Sequence, residues 1–208
     1  MTLRSGWRVD VQPPSGPSYR DFALFLQDQD EVIGTALMPY TEQVKGPLGV
    51  NYRVAPLRSR SQPGGTPSES LPLSAQRDPA TPVLEAFVGD AVRIHVLVPF
   101  GEQSHVFSLE GHEWPLEPGR AGTPMLSSIK VGGLEGITLI PAHGAGGAAG
   151  LGGAYVYGDH REPYRGGGLW GIFRVHENGA TGVSLKPLPD AQDRALPRMS
   201  SGVQQGTP

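Results

Sequence analysis

The stretch from residue 91 to residue 98, Ala91-Val92-Arg93-Ile94-His95-Val96-Leu97-Val98, decides the fold class of this chain. Its β-branched residues occupy every second position, which is the pattern of a strand with one buried face. Gly89-Asp90 precede the stretch and Pro99 follows it, so turns bound the strand on both sides. The chain also holds 30 Gly and 21 Pro among its 208 residues, which argues against long helices. We therefore predict an all-β protein.

Short apolar segments separated by Gly and Pro occur on both sides of this strand. The segment from Asp21 to Leu26 is predicted to be a strand that enters the core. The segment from His105 to Trp114 alternates, so its early apolar residues share a face with His105. Further strands are predicted at residues 127–131, 136–140, 154–157 and 169–175. Strands at this spacing indicate an antiparallel β-sandwich or barrel.

Composition divides the chain into five parts. Polar, proline-rich or glycine-rich stretches alternate with the apolar segments, and they mark the boundaries. We predict a linker over residues 1–20, a strand-containing arm that completes the barrel over 21–58, a flexible loop over 59–81, the main β domain over 82–176, and a flexible tail over 177–208.

Charge and cysteine content exclude several classes of function. The net charge is −3, so no basic field exists to hold nucleic acid, and no segment reaches the ~18 apolar residues of a membrane span. The chain contains no cysteine, which excludes disulfides, thiolate metal sites and cysteine nucleophiles. Residues 1–17 lack the apolar core of a secretory signal peptide, so the sequence leaves the compartment undetermined.

Three blocks, taken in order, resemble the last cupredoxin domain of a multicopper oxidase. They are TPVLEAFVGDAVRIHVLVP (residues 81–99), HVFSLEGHEW (105–114) and GAYVYGDHREPYRGGGLWGIFRVH (153–176). The corresponding family patterns are GD-x-V-x-I-x-V, HP-x-HLHGH and HCH-x-x-x-H-x-x-x-x-M, and they align with these blocks without a gap. The resemblance covers about residues 82–176 and implies a cupredoxin-like Greek-key fold. It also implies a parent activity in which copper-dependent oxidation is coupled to oxygen reduction.

The resemblance places residues of this chain on the copper ligands of the family. His105, Asp159, Tyr164 and Leu169 fall on the type 1 ligands. A blue copper centre needs a thiolate and two imidazoles, so a carboxylate and a phenol at these positions exclude it. The positions that serve the three-copper cluster hold Ser108, Glu110, Gly158 and His160. Copper is thus the cofactor of the family, whereas no cofactor is expected for this chain, and the chain is not expected to be catalytic alone.

The first functional hypothesis is a non-catalytic domain or subunit. In the family, the outward side of the histidine-rich strand is occupied by a neighbouring domain. In this chain the corresponding residues are Ser108, Glu110 and His112. The expected partner is another cupredoxin domain or a second copy of the chain. If the chain belongs to a larger exported oxidase, it is periplasmic or secreted.

Two other hypotheses remain open. One is a remodelled mononuclear metal site built from His105, Asp159 and His160, because imidazole and carboxylate ligands hold zinc or Cu(II). In the competing interpretation, Asp159 only orients an imidazole by a hydrogen bond. The other hypothesis is a binding module whose loops hold a small ligand.

Overall fold

The computed structural model describes residues 7–29, 47–57, 78–101 and 103–190. These ranges contain twelve strands and one short helix: β1 (Arg8–Val11), β2 (Tyr19–Asp28), β3 (Leu48–Val50), β4 (Val83–Phe87), β5 (Val92–Phe100), β6 (His105–Leu109), β7 (Trp114–Pro115), β8 (Met125–Leu126), β9 (Ser128–Val131), β10 (Glu135–Leu139), β11 (Gly153–Asp159), α1 (Glu162–Gly167) and β12 (Trp170–His176). The predicted all-β class is confirmed. Within the described ranges, no helix has the length and apolar character needed to cross a membrane.

Two five-stranded sheets face each other. Sheet A has the order β1-β2-β5-β10 with β3 on β2, and sheet B has the order β4-β12-β11-β6-β9. The pairs β2·β5 and β4·β12 are parallel and the other pairs are antiparallel. The chain passes from one sheet to the other after β3, β4, β5, β9 and β10. The cupredoxin-like Greek-key fold predicted as a barrel or sandwich is therefore present as a sandwich of two sheets.

Side chains from alternate positions of the strands fill the space between the two sheets. In β2 the residues at every second position are buried, and so are those in the first seven residues of β5. Phe22 of β2 meets Phe173 of β12 across the sandwich, with ring centroids 6.1 Å apart and ring planes inclined by 69°. Apolar burial of this kind stabilises the fold by roughly 25 cal/mol per Å² removed from water.

The inward row of β2 is apolar in its centre and charged at both ends. Phe22, Leu24 and Leu26 are buried, and the same face continues to Arg20 at one end and Asp28 at the other. Buried charges are stable only when they are paired. β2 therefore requires an anionic partner at one end of the sandwich and a cationic or hydrogen-bond-donating partner at the other.

The structure differs from the linker and the tail that were predicted from composition. Residues 8–11 of the predicted linker form β1, because they pair with β2 and Asp10 accepts a hydrogen bond of 2.9 Å from Arg20. In the predicted tail, Leu185 and Leu188 are buried, and the carbonyl of Lys186 accepts a hydrogen bond of 2.8 Å from Arg20. Most of the predicted loop (residues 59–77), part of the predicted arm, and the tail from residue 191 lie outside the described residues.

Candidate functional site

Three strands bring their ends together at one end of the sandwich. β6 begins with His105, which shares the buried face of the strand with Phe107 and Leu109, as predicted. β11 ends with Asp159 and β2 ends with Asp28. β6 pairs with β11 in sheet B, whereas β2 belongs to sheet A, so the site joins the two sheets.

His105 lies between two buried carboxylates. Its Nδ1 is 2.7 Å from Oδ2 of Asp159, and its Nε2 is 3.0 Å from Oδ1 of Asp28. All three side chains are fully buried. We call Asp28, His105 and Asp159 the triad. Since carboxylates only accept hydrogen bonds, both ring nitrogens of His105 donate when both contacts form, and the ring is then an imidazolium.

The carboxylate of Asp159 accepts hydrogen bonds at both of its oxygens. Its Oδ1 accepts from the backbone N–H of Val106 at 3.1 Å and from that of Arg161 at 2.9 Å, while Oδ2 faces His105. The ring of Tyr164 stands edge-on to His105, with centroids 5.1 Å apart and an interplanar angle of 86°. The guanidinium of Arg161 lies 4.7 Å from the centroid of the Tyr164 ring. Tyr164 of the short helix α1 thus packs against His105.

The electrostatics of the triad favour the charged form of His105. Burial lowers the pKa of His105, but hydrogen bonds with Asp159 and Asp28 and the charges of both carboxylates outweigh burial and raise it from 6.5 to about 9. His105 is therefore protonated at neutral pH.

His112 is also a buried histidine, but its surroundings favour the neutral form of the ring. Its Nδ1 is 2.9 Å from the carbonyl oxygen of Glu110, and its Nε2 accepts from the backbone N–H of Gly146 at 3.0 Å. Burial lowers the pKa of His112, and the hydrogen bond to Glu110 offsets this only in part. The neutral ring holds the small-residue tract after β10 against the turn that follows β6. The predicted outward placement of His112 is wrong, because only 2% of its surface is exposed.

These two histidines predict a stability maximum near pH 6.5. The contribution of His105 is fully present below pH 6.5 and is lost as the pH rises through about 9, a total of about 3 kcal/mol. The contribution of His112 is present above pH 6.5 and is lost as the pH falls below that value, because the folded state resists protonation. Urea midpoints measured between about pH 5 and about pH 9.5 test this profile. A midpoint that rises between pH 6.5 and pH 9 would contradict the assignment for His105.

The structure brings together two of the three predicted metal ligands. His105 and Asp159 are in contact, whereas His160, the residue after the end of β11, is exposed. The second carboxylate at His105 comes from Asp28, which was not predicted. Among the described residues, no group of three or more His, Cys, Asp or Glu side chains is placed to hold a metal ion.

The residues at the copper positions do not fit a type 1 centre. The ring nitrogens of His105 both face carboxylates, and Asp159 replaces the thiolate. Gly158, at the position of a family histidine, has φ of +141°, and a Cβ there would overlap the backbone of Leu169 and Trp170. A side chain at Gly158 is therefore excluded unless the pairing of β11 with β12 changes.

Comparisons with known proteins give matches in structure only. No protein-family model matches the chain, and no curated protein matches it in sequence. One similar solved structure is a multicopper oxidase, with a TM-score of 0.45 and 11% identity; the match covers 79% of this chain and 46% of that chain. Another is the copper nitrite reductase of Nitrosomonas europaea, with a TM-score of 0.48 and 16% identity; the match covers 75% of this chain and 48% of that chain. A multicopper oxidase from the hyperthermophile Aquifex aeolicus is also similar, with a TM-score of 0.49 and 13% identity; the match covers 81% of this chain and 32% of that chain. This chain spans less than half the length of each of the three.

The structural neighbours are multicopper oxidases and a copper nitrite reductase, and the architecture is a two-sheet β-sandwich. Where β6 begins and β11 ends, at positions that the resemblance assigns to copper ligands, this chain has two carboxylates around one histidine.

Proposed function

We propose that this chain is a copper-free, cupredoxin-like domain with a non-catalytic role as a domain or subunit of a larger assembly. The observation that carries the proposal is the state of His105, whose two ring nitrogens both contact buried carboxylates at 2.7 Å and 3.0 Å. A metal ligand needs a free lone pair on nitrogen, and an imidazolium has none. The protonated ring of His105 bridges the carboxylates of Asp28 and Asp159, and so it links the two sheets in the place of a bound cation.

Binding of copper at this place would require several contacts to break. A metal ion at either nitrogen would have to displace a carboxylate that is fully buried. Asp159 would lose its bond to His105 while its other oxygen stayed fixed by the backbone N–H groups of Val106 and Arg161. Breaking one side of a buried, hydrogen-bonded ion pair typically costs about 3–5 kcal/mol. The triad therefore resists a metal ion more strongly than an open site would.

The partner is proposed to be another cupredoxin domain or a second copy of the chain. Of the three residues predicted on the docking face, Glu110 is half exposed at its side chain and forms an ion pair of 2.9 Å with Arg165. Ser108 lies on the same side of β6, on the less buried face of the strand. His112 is buried and is not part of this face. The docking face then consists of Ser108, Glu110 and Arg165.

Metal analysis of the full chain tests the proposal. After incubation with Cu(II) or Zn(II) and removal of unbound ions, we expect no metal retained in a one-to-one ratio and no intense blue absorption, because no thiolate is present. The predicted mononuclear site of His105, Asp159 and His160 gives the opposite outcome. Retention of one ion per chain that is lost in His160→Ala, and kept in a His143→Ala control at another exposed histidine, would contradict the proposal.

A further inference from the structure

Asn178 and Gly179 follow β12 in an exposed turn. The N–H of Ala180 donates to the carbonyl of Glu177 at 3.1 Å, and Gly179 has φ of +82°. This is the geometry of a type II turn, in which glycine is favoured at the third position. Asn178 and Gly179 are both exposed. The turn thus places a side-chain amide in water beside the backbone nitrogen of a glycine.

The backbone nitrogen of Gly179 is open to reaction. Among the residues that the structure describes, none accepts a hydrogen bond from its N–H. A Cβ built on Gly179 would meet no atom within 4 Å, so the space around the residue is free. Glycine has no side chain to shield its nitrogen, and it reaches φ and ψ values that other residues avoid. The nitrogen can therefore approach Cγ of Asn178 by rotations within these two residues.

The chain has one other asparagine, and its surroundings differ. The side chain of Asn51 is held at both ends of its amide, by contacts of 2.6 Å and 3.0 Å to the backbone of β2. The residue that follows Asn51 is Tyr52, whose side chain shields its backbone nitrogen. Asn178 makes a single side-chain contact, from Nδ2 to the carbonyl of Val88 at 3.2 Å. Of the two asparagines, Asn178 is therefore the one that is free to react.

We propose that Asn178 is a site of spontaneous conversion to aspartate and isoaspartate. The nitrogen of Gly179 forms a bond to Cγ of Asn178, the Cγ–Nδ2 bond breaks, and Nδ2 leaves as ammonia with the proton of the Gly179 nitrogen. Water then opens the five-membered imide at either of its two carbonyl carbons. The products are aspartate and isoaspartate, in which the backbone runs through the side chain. One water is consumed, one ammonia is released, and nothing is oxidised or reduced.

Conversion removes a contact between two turns. Nδ2 of Asn178 is the donor to the carbonyl of Val88, whereas a carboxylate at this place can only accept. The turn after β4 keeps the bond from the N–H of Val88 to the carbonyl of His176 at 2.9 Å. It also keeps the bond from the N–H of Gly89 to the carbonyl of Ala145 at 2.8 Å. The modified chain should therefore stay folded and accumulate, with a net charge one unit more negative than −3.

Incubation of the folded full chain in mildly alkaline buffer, followed by peptide mapping with mass spectrometry, tests this proposal. We expect the peptide that contains Asn178 to gain the mass difference between an amide and a carboxylic acid, and to separate into an aspartate and an isoaspartate form. The peptide that contains Asn51 should not change. Gly179→Ala should slow the conversion several-fold. Gly182→Ala, at a second exposed glycine with positive φ and free space at its Cβ position, should leave the rate unchanged.

A further variant keeps the test independent of the strain that alanine introduces at Gly179. Asn178→Gln retains the amide but lengthens the side chain by one methylene, so it should show no conversion at residue 178. Four results would overturn the proposal: an unchanged Asn178 peptide, equal conversion at Asn51, equal rates in the two glycine variants, and a product without isoaspartate. None of these residues belongs to the triad, so the modification site stands or fails separately from the copper-free role.

Discussion

Replacing His105 with alanine is expected to destabilise the fold by about 3–5 kcal/mol at neutral pH, because two buried carboxylates then lose their shared donor. His105 is fully buried between Asp28 and Asp159, so its removal leaves both buried carboxylates without this donor. The measurement is the free energy of unfolding in urea at pH 7.

A matched control is available in the same sandwich. His95 also contacts a carboxylate, that of Asp21 at 2.7 Å, but its side chain is 36% exposed. His95→Ala should cost less than about 1 kcal/mol, as is usual for exposed ion pairs. A loss in His105→Ala no larger than in His95→Ala would show that the triad contributes little to stability.

Arg20→Ala is expected to have an effect of similar size, about 3–5 kcal/mol, at the opposite end of β2. The buried Arg20 donates from Nε to Asp90 at 2.6 Å, from Nη1 to Asp10 at 2.9 Å and from Nη2 to the carbonyl of Lys186 at 2.8 Å. These contacts join β1, β2, the turn after β4 and the chain after β12. Without the guanidinium, Asp90 remains as a buried and uncompensated charge.

Two further variants make the Arg20 prediction specific. Arg120→Ala removes an arginine from an exposed ion pair with Glu117, so it should change the free energy of unfolding by less than about 0.5 kcal/mol. Arg20→Met combined with Asp90→Asn should recover part of the loss, because the unpaired charge is removed as well. Equal losses in Arg20→Ala and Arg120→Ala would contradict the role assigned to Arg20.

The strands and their buried faces could be predicted from the sequence because period-two alternation is a local property. The segments around Val92, His105 and Trp170 are strands as predicted, and His105 is on the buried face with Phe107 and Leu109. Alternation needs only the order of apolar residues along one strand.

The charged ends of β2 were missed because charged residues at the end of an apolar run usually mark the end of a strand. The observed strand extends from Tyr19 to Asp28, two residues beyond the predicted segment at each end. Extending the alternation of Phe22, Leu24 and Leu26 by two residues in each direction reaches Arg20 and Asp28. That extension could have found both residues, but their partners come from distant segments, which no local pattern reveals.

His160 and His112 both lie beyond the ends of their strands, where strand alternation does not predict the direction of a side chain. Asp159 is the last residue of β11 and is buried, whereas His160 follows it and is exposed. His112 follows a turn in which Gly111 has φ of +70°, so the alternation of β6 no longer applies to it. Alternation is reliable within a strand and fails at the first turn beyond it.

The proton state of His105 is the central claim, and long-range nitrogen–proton NMR of the histidine side chains measures it most directly. The account predicts that both ring nitrogens of His105 carry protons at pH 7, that the ring titrates with a pKa of about 9, and that neither EDTA nor Cu(II) changes its signals. A His105 ring with one unprotonated nitrogen at pH 7, or signals that Cu(II) broadens selectively, would contradict it.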